Sequence, residues 1–193
     1  MKMKSILFAW VLVVLFPCCM KAEEKTSPQP GHLELAITYD AQYATPGASN
    51  SFVLQGGSAQ IHGQFWRGLG VVADIYGTHN GNMHNSGVGL DLVTATFGPR
   101  YTYQLPHRKL NAYGQFLVGE AFGMNSVFPD PSGALSSASS MALQGGGGIN
   151  YHLKSRLDWR ALEAGWLYTQ LPNGANQTEH NLRIGTGLVW RFK

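Results

Sequence analysis

Histidines and serines are the residues of this 193-residue chain whose types and spacing could do covalent chemistry. His84 stands two places before Ser86, His180 follows Glu179, and His62 lies two places after Gln60. A serine nucleophile needs a base within hydrogen-bond reach and a third group to orient that base. With a lipid ester as substrate, such a set would make a lipid-modifying enzyme. None of these neighbourhoods forms a recognisable local signature, so the chain reads as a protein that is not an enzyme. His79 and His84, with Asn80 or Asn82, could hold a divalent cation, but the spacing is irregular and no carboxylate accompanies them. The glycine run from Gly145 to Gly148 resembles a phosphate-cradling loop only in composition: no Lys-Ser/Thr follows it and no helix opens from it. The sequence therefore assigns no catalytic group, metal or cofactor.

Charge is patterned more strongly than nucleophiles are. Glu34, Asp40, Asp74, Arg100, Gln115, Glu163, Arg183 and Arg191 fall on one face of segments that alternate polar and apolar residues. The other face carries aliphatic residues in the middle of each segment and aromatic ones near its ends: Tyr39, Tyr43, Phe65, Tyr101, Tyr103, Tyr151, Trp190 and Phe192. Period two is the strand signature, and no segment sustains a helical period. Eight such segments follow one another from about residue 32.

Their connections alternate in length. Arg67-Gly68, Pro106 to Lys109 and Lys154 to Arg156 are short and basic. Thr45 to Asn50, His79 to Ser86, Phe122 to Ser139 and Leu171 to His180 read as loops, Phe122 to Ser139 being the longest. An up-and-down meander puts all long connections at one end. Barrels of the outer membrane have this asymmetry, with short periplasmic turns and long outer loops. A soluble ligand-binding barrel would be apolar inside and polar outside. Here the aromatic-edged apolar face matches the lipid-facing girdle of a membrane barrel, and the charges belong inside. An eight-strand interior is just wide enough for side chains to fill. The expectation is an all-β, eight-stranded antiparallel transmembrane barrel whose interior charges neutralise one another, with Glu163 meeting Arg100 or Arg183.

The start of the chain is a targeting segment. Lys2 and Lys4 precede an apolar run from Ile6 to Phe16, too short to span a bilayer as a helix, and Ala22 ends a cleavage-like stretch. The expected organisation is a signal peptide over 1–22, a flexible lead-in over 23–31 and the barrel over 32–193. Of the 14 Lys and Arg, three (Lys2, Lys4 and Lys21) fall in the leader, leaving 11 against 11 Asp and Glu. A formal net charge of zero gives no argument for nucleic acid. Both cysteines, Cys18 and Cys19, also lie in the leader, so the remainder has neither a disulfide nor a thiolate metal site. Lipidation of Cys18 or Cys19 is the rival reading of that segment.

The sequence resembles the small outer-membrane β-barrels of the outer membrane protein A and opacity type. The resemblance rests on Phe97-Gly98-Pro99-Arg100-Tyr101, Asn111-Ala112-Tyr113-Gly114-Gln115, Trp166-Leu167-Tyr168-Thr169, and Asn181 to Gly187 leading to Trp190-Arg191-Phe192. It covers roughly residues 32 to 193. It implies residence in the Gram-negative outer membrane, contact with its lipid and delivery by the barrel assembly machinery. That machinery often reads a terminal aromatic residue; here Phe192 is followed by Lys193. Three roles stay open: a structural or adhesive barrel that meets an extracellular ligand with its loops, a small porin-like pore, and a lipid-modifying enzyme.

Overall fold

The computed structural model of the protein describes residues 33–46, 51–81, 89–105, 109–131, 133–172 and 178–192. The leader, the lead-in and the middle of several connections, including His84 and Ser86, lie outside them. Eight strands follow in order: β1 (Leu33–Pro46), β2 (Phe52–Trp66), β3 (Leu69–Asn80), β4 (Leu90–Gln104), β5 (Leu110–Asp130), β6 (Gly133–Lys154), β7 (Leu157–Thr169) and β8 (Glu179–Phe192). Each pairs antiparallel with its neighbours, and β1 closes on β8.

The register fixes the shape. Paired residues can be followed round the wall from Leu35 through Ile61, Ala73, Phe97, Val118, Leu143, Tyr168 and His180. His180 pairs with Thr45, so one circuit returns to β1 ten residues beyond its start at Leu35. That stagger tilts the strands by roughly 40° and draws the wall into a narrow cylinder. All the circuit residues face outward, as the two-residue period of the sequence dictates.

The short-turn end is built as the sequence suggests. Arg67 and Gly68 both have positive φ, 33° and 88°, the twist that a two-residue hairpin requires. Gly68 carries it without strain, and its carbonyl accepts from the Thr102 amide at 2.7 Å.

The other end departs from expectation. Phe122 to Ser139 is not a loop. β5 runs to Asp130, β6 begins at Gly133, and the two remain paired out to Asp130↔Gly133. Proline and serine density conceals this stretch, yet Pro129 is tolerated because a strand outside the closed wall has a free edge that asks for no amide. The expected loops at Thr45, His79 and Leu171 are also shorter than read, since β1 reaches Pro46, β3 reaches Asn80 and β8 starts at Glu179.

The lumen has two storeys. Towards the hairpin end an apolar cluster joins Ala44, Leu54, Tyr76, Leu90, Leu92, Ala121, Phe128, Ala142, Leu167 and Leu171. Phe128 enters it because the β5–β6 register slips between Met124 and Phe128. Four residue steps on β5 face two on β6 there, and the two extra residues interrupt the strict in–out alternation; Asn125, a residue tolerant of left-handed backbone, takes φ 58° at the slip. Below this cluster the interior is mainly polar, with Ala36, Val72, Leu117 and Val189 buried among the polar groups.

Candidate functional site

The polar storey is a network of arginines and carboxylates. Arg183 sits on β8 and reaches across the lumen. Its Nε donates to Asp40 Oδ1 at 3.1 Å, Nη1 to Asp74 Oδ2 at 2.9 Å, and Nη2 lies 3.2 Å from Glu163 Oε1. Nη2 also donates to Ser58 Oγ at 2.7 Å, and the guanidinium lies over the Tyr76 ring at 4.2 Å. Arg160 donates to Glu163 Oε2 at 2.5 Å and to Gln60 Oε1 at 2.6 Å. Arg100 donates to Gln115 and to the same Gln60 oxygen, at 2.9 and 2.5 Å. Tyr113 is held between Arg100 and Arg160, 4.3 and 4.7 Å from its ring centre, and donates its hydroxyl to Glu163 at 2.7 Å. Arg100, Arg160 and Arg183 thus balance Asp40, Asp74 and Glu163, and all six are at most 2 % exposed. Charges taken this far out of water require such pairing and bonding.

Of the interior charges read from the sequence, Asp40, Asp74, Glu163 and Arg183 meet directly. Arg100 does not pair with Glu163; it is satisfied by the two glutamines and the tyrosine. Glu34 and Arg191 stand at the short-turn mouth. Glu34 meets His62 at 3.0 Å, and Arg191 meets Asp158 at 2.9 Å and touches His152. Sequence reasoning missed Arg160 and Asp158. Both lie on β7, where the register to β8 slips between Arg160 and Glu163. The slip turns Arg160 and Glu163, three residues apart, to the same side, which strict alternation forbids. Asp158-Trp159-Arg160 does alternate, and that short run was the available signal.

Gly185 is required by this network. A Cβ on Gly185 would sit 1.9 Å from Asp40 Oδ1. Gly185→Ala is expected to push Asp40 off Arg183 and lower stability by roughly 2–3 kcal/mol, the scale of a broken buried polar contact. Urea unfolding in detergent micelles checks it; an unchanged midpoint would show that Asp40 and Arg183 do not depend on a glycine at 185.

No described histidine hydrogen-bonds to a described serine hydroxyl. His62 pairs with Glu34, His79 with Asp91, His152 with Asp158, and His180 accepts from Trp166 Nε1 at 3.2 Å. Glu179 lies on the inner face, accepting from Thr169 at 3.2 Å, while His180 points out, so adjacency in sequence separates the two in space. The described residues contain no cluster of three or more metal-ligating side chains.

Tyr39, Tyr43, Phe65, Tyr101, Tyr103, Tyr151, Trp190 and Phe192 are all exposed on the outer wall. Phe65, Tyr101, Tyr103, Tyr151, Trp190 and Phe192 ring the short-turn end. Tyr43 stands near the hairpin end, where Trp166 and Tyr168 join it. Tyr39 sits between the two rows and donates its hydroxyl to Gln55 at 2.9 Å.

The β5–β6 hairpin rises past its neighbours. β4 pairs with β5 only up to Met124, and β7 pairs with β6 only from Ala142. From Gly133 to Met141 no described residue forms a ladder pair with the β7-side edge of β6, although the Gln170 amide donates to Ser140 Oγ at 3.2 Å. Val127 and Leu135 are 60 and 50 % exposed on this projection.

No family model and no curated protein matches the sequence. Solved structures do match its fold. The attachment invasion locus protein of Yersinia pestis, Ail, aligns at 16 % identity over 85 % of this chain and 100 % of its own, with a TM-score of 0.55. A structure of Ail with the heparin analogue sucrose octasulfate aligns at a TM-score of 0.57 and 16 % identity, over the same shares. Neisserial surface protein A aligns at 13 % identity over 84 % of this chain and 99 % of its own, with a TM-score of 0.63. These are small outer-membrane barrels, and the chain has their eight-stranded fold.

Proposed function

We propose that the chain is an integral outer-membrane barrel, without enzymatic activity, that presents the β5–β6 hairpin as a recognition element. The outer wall supports membrane residence: an apolar band edged by aromatic rings is what lipid requires of a closed barrel. A signal peptide over 1–22 and delivery by the barrel assembly machinery complete the reading. The short turns then face the periplasm and the hairpin faces outward.

The observation that carries the recognition role is the β6 edge from Gly133 to Ser139, which has no ladder partner among the described residues. Exposed strand edges bind extended segments by adding a strand, with main-chain hydrogen bonds giving affinity. The partner class is therefore a polypeptide. A polyanion such as the heparin analogue bound by Ail is disfavoured here, because residues 45–50, 79–89, 122–139 and 171–180, at the hairpin end, contain no Lys or Arg. Replacing residues 126–137 by a two-residue turn is expected to abolish adhesion of cells that display the chain, to background, while the barrel still changes gel mobility only on boiling. Unchanged adhesion with an intact barrel would sink the recognition role and leave a purely structural protein.

A further inference from the structure

The described lysines and arginines are segregated in a way that the roles above do not use. Arg100, Arg160 and Arg183 lie in the lumen and Arg191 at its mouth; Arg67, Lys109, Lys154 and Arg156 are exposed on the short-turn rim. No described Lys or Arg stands at the hairpin end, where Asp91, Asp130 and Glu179 are found. The two described carboxylates at the rim are already engaged, Glu34 by His62 and Asp158 by Arg191 and His152. The four rim cations have no ion pair among the described residues. They come from three different turns, β2–β3, β4–β5 and β6–β7, so they are spread round the barrel and not gathered on one side.

We infer that this rim is a binding collar for anionic phospholipid headgroups of the periplasmic leaflet. Their shared chemistry is a phosphate at the level of the membrane interface. Height is the first argument. Trp66 precedes Arg67 and is 59 % exposed; Tyr151 and Leu153 precede Lys154 at 39 and 47 %. Rings of this kind settle at the headgroup level, which brings the neighbouring cations within reach of phosphates. Distribution is the second argument. Lipid surrounds a barrel on every side, whereas a wall polymer or a protein approaches from one, and the cations are placed all round. The inference rests on the membrane reading, which sets these turns at the periplasmic face.

The test uses the full mature chain in vesicles of phosphatidylcholine with trace spin-labelled lipid. Wild type is expected to select labelled phosphatidylglycerol over labelled phosphatidylcholine by roughly fivefold for each rim cation that a lipid meets. The selection should fall away in molar salt. The variant carrying Arg67→Gln, Lys109→Gln, Lys154→Gln and Arg156→Gln should show none, while keeping its heat-dependent gel mobility. An inserted wild-type barrel without selectivity, or a variant with full selectivity, overturns the collar alone. Rim-dependent sedimentation with isolated peptidoglycan, without lipid selectivity, replaces the lipid by the wall polymer. A chain that neither inserts nor shifts on heating overturns the membrane reading itself.

Discussion

Replacing Arg183 by methionine is expected to cost about 3–5 kcal/mol of stability, the range for removing one member of a buried charge cluster. The cost comes from what is left behind. Asp40 and Asp74 have Arg183 as their cation, at 3.1 and 2.9 Å. Glu163 keeps Arg160 and the Tyr113 hydroxyl. Two buried carboxylates are thus left without their cation. Asp40→Asn together with Asp74→Asn in the Arg183→Met background is expected to recover most of the loss, because the anions are removed with their partner. Arg100→Met gives the contrast. It strands no carboxylate, and forfeits only hydrogen bonds to Gln60 and Gln115 and the stacking on Tyr113. Its expected cost is about 1–3 kcal/mol. The readout is the temperature at which the folded gel band gives way to the unfolded one, with urea unfolding in micelles for the free energies. Equal losses in the two single variants, or no recovery in the triple one, would contradict a network held by charge balance.

The eight strands, their antiparallel order and the identity of the inner face are legible in the sequence, because a two-residue period survives wherever one face meets a different environment from the other. What could not be read traces to departures from that period. The slip near Arg160 hid two charged residues of the lumen, and the slip near Asn125 hid the inward turn of Phe128. The hairpin was misread for a different reason. Ser- and Pro-rich composition signals a loop when strand pairing is judged locally, but β5 and β6 had already been set in register by Leu110↔Tyr151 and the pairs above it. Extending an established ladder is easier than starting one. The polar reading of the lumen was incomplete as well. Leu54, Leu92 and Leu167 are fully inside, each at most 1 % exposed, and a one-sided hydrophobicity count has no means of separating an inward leucine near the mouth from an outward one.

Those leucines decide the question of conductance. In planar bilayers the wild-type chain is expected to pass no ohmic current, because two seals stand in series. The lower is the arginine–carboxylate network, whose side chains span the lumen from β1, β2, β3, β4, β5, β7 and β8. The upper is the apolar cluster closed by Phe128 and Leu171. An eight-strand interior leaves little space once side chains fill it, and ions entering the upper storey would lose their water without replacement. Leu54→Ala, Leu92→Ala and Leu167→Ala should each cost about 2–5 kcal/mol through the cavity they leave. Their combined cost should fall short of the sum, since all three belong to one cluster. The triple variant should still be silent, because the charge network beneath it is untouched. Current should appear only when the upper layer is emptied and Arg183→Met has also opened the lower one. Steady unitary currents from the wild type would show that neither layer is a seal and would restore the pore. Currents from the leucine variant alone would place the closure wholly in the apolar storey and leave the arginines a structural role only.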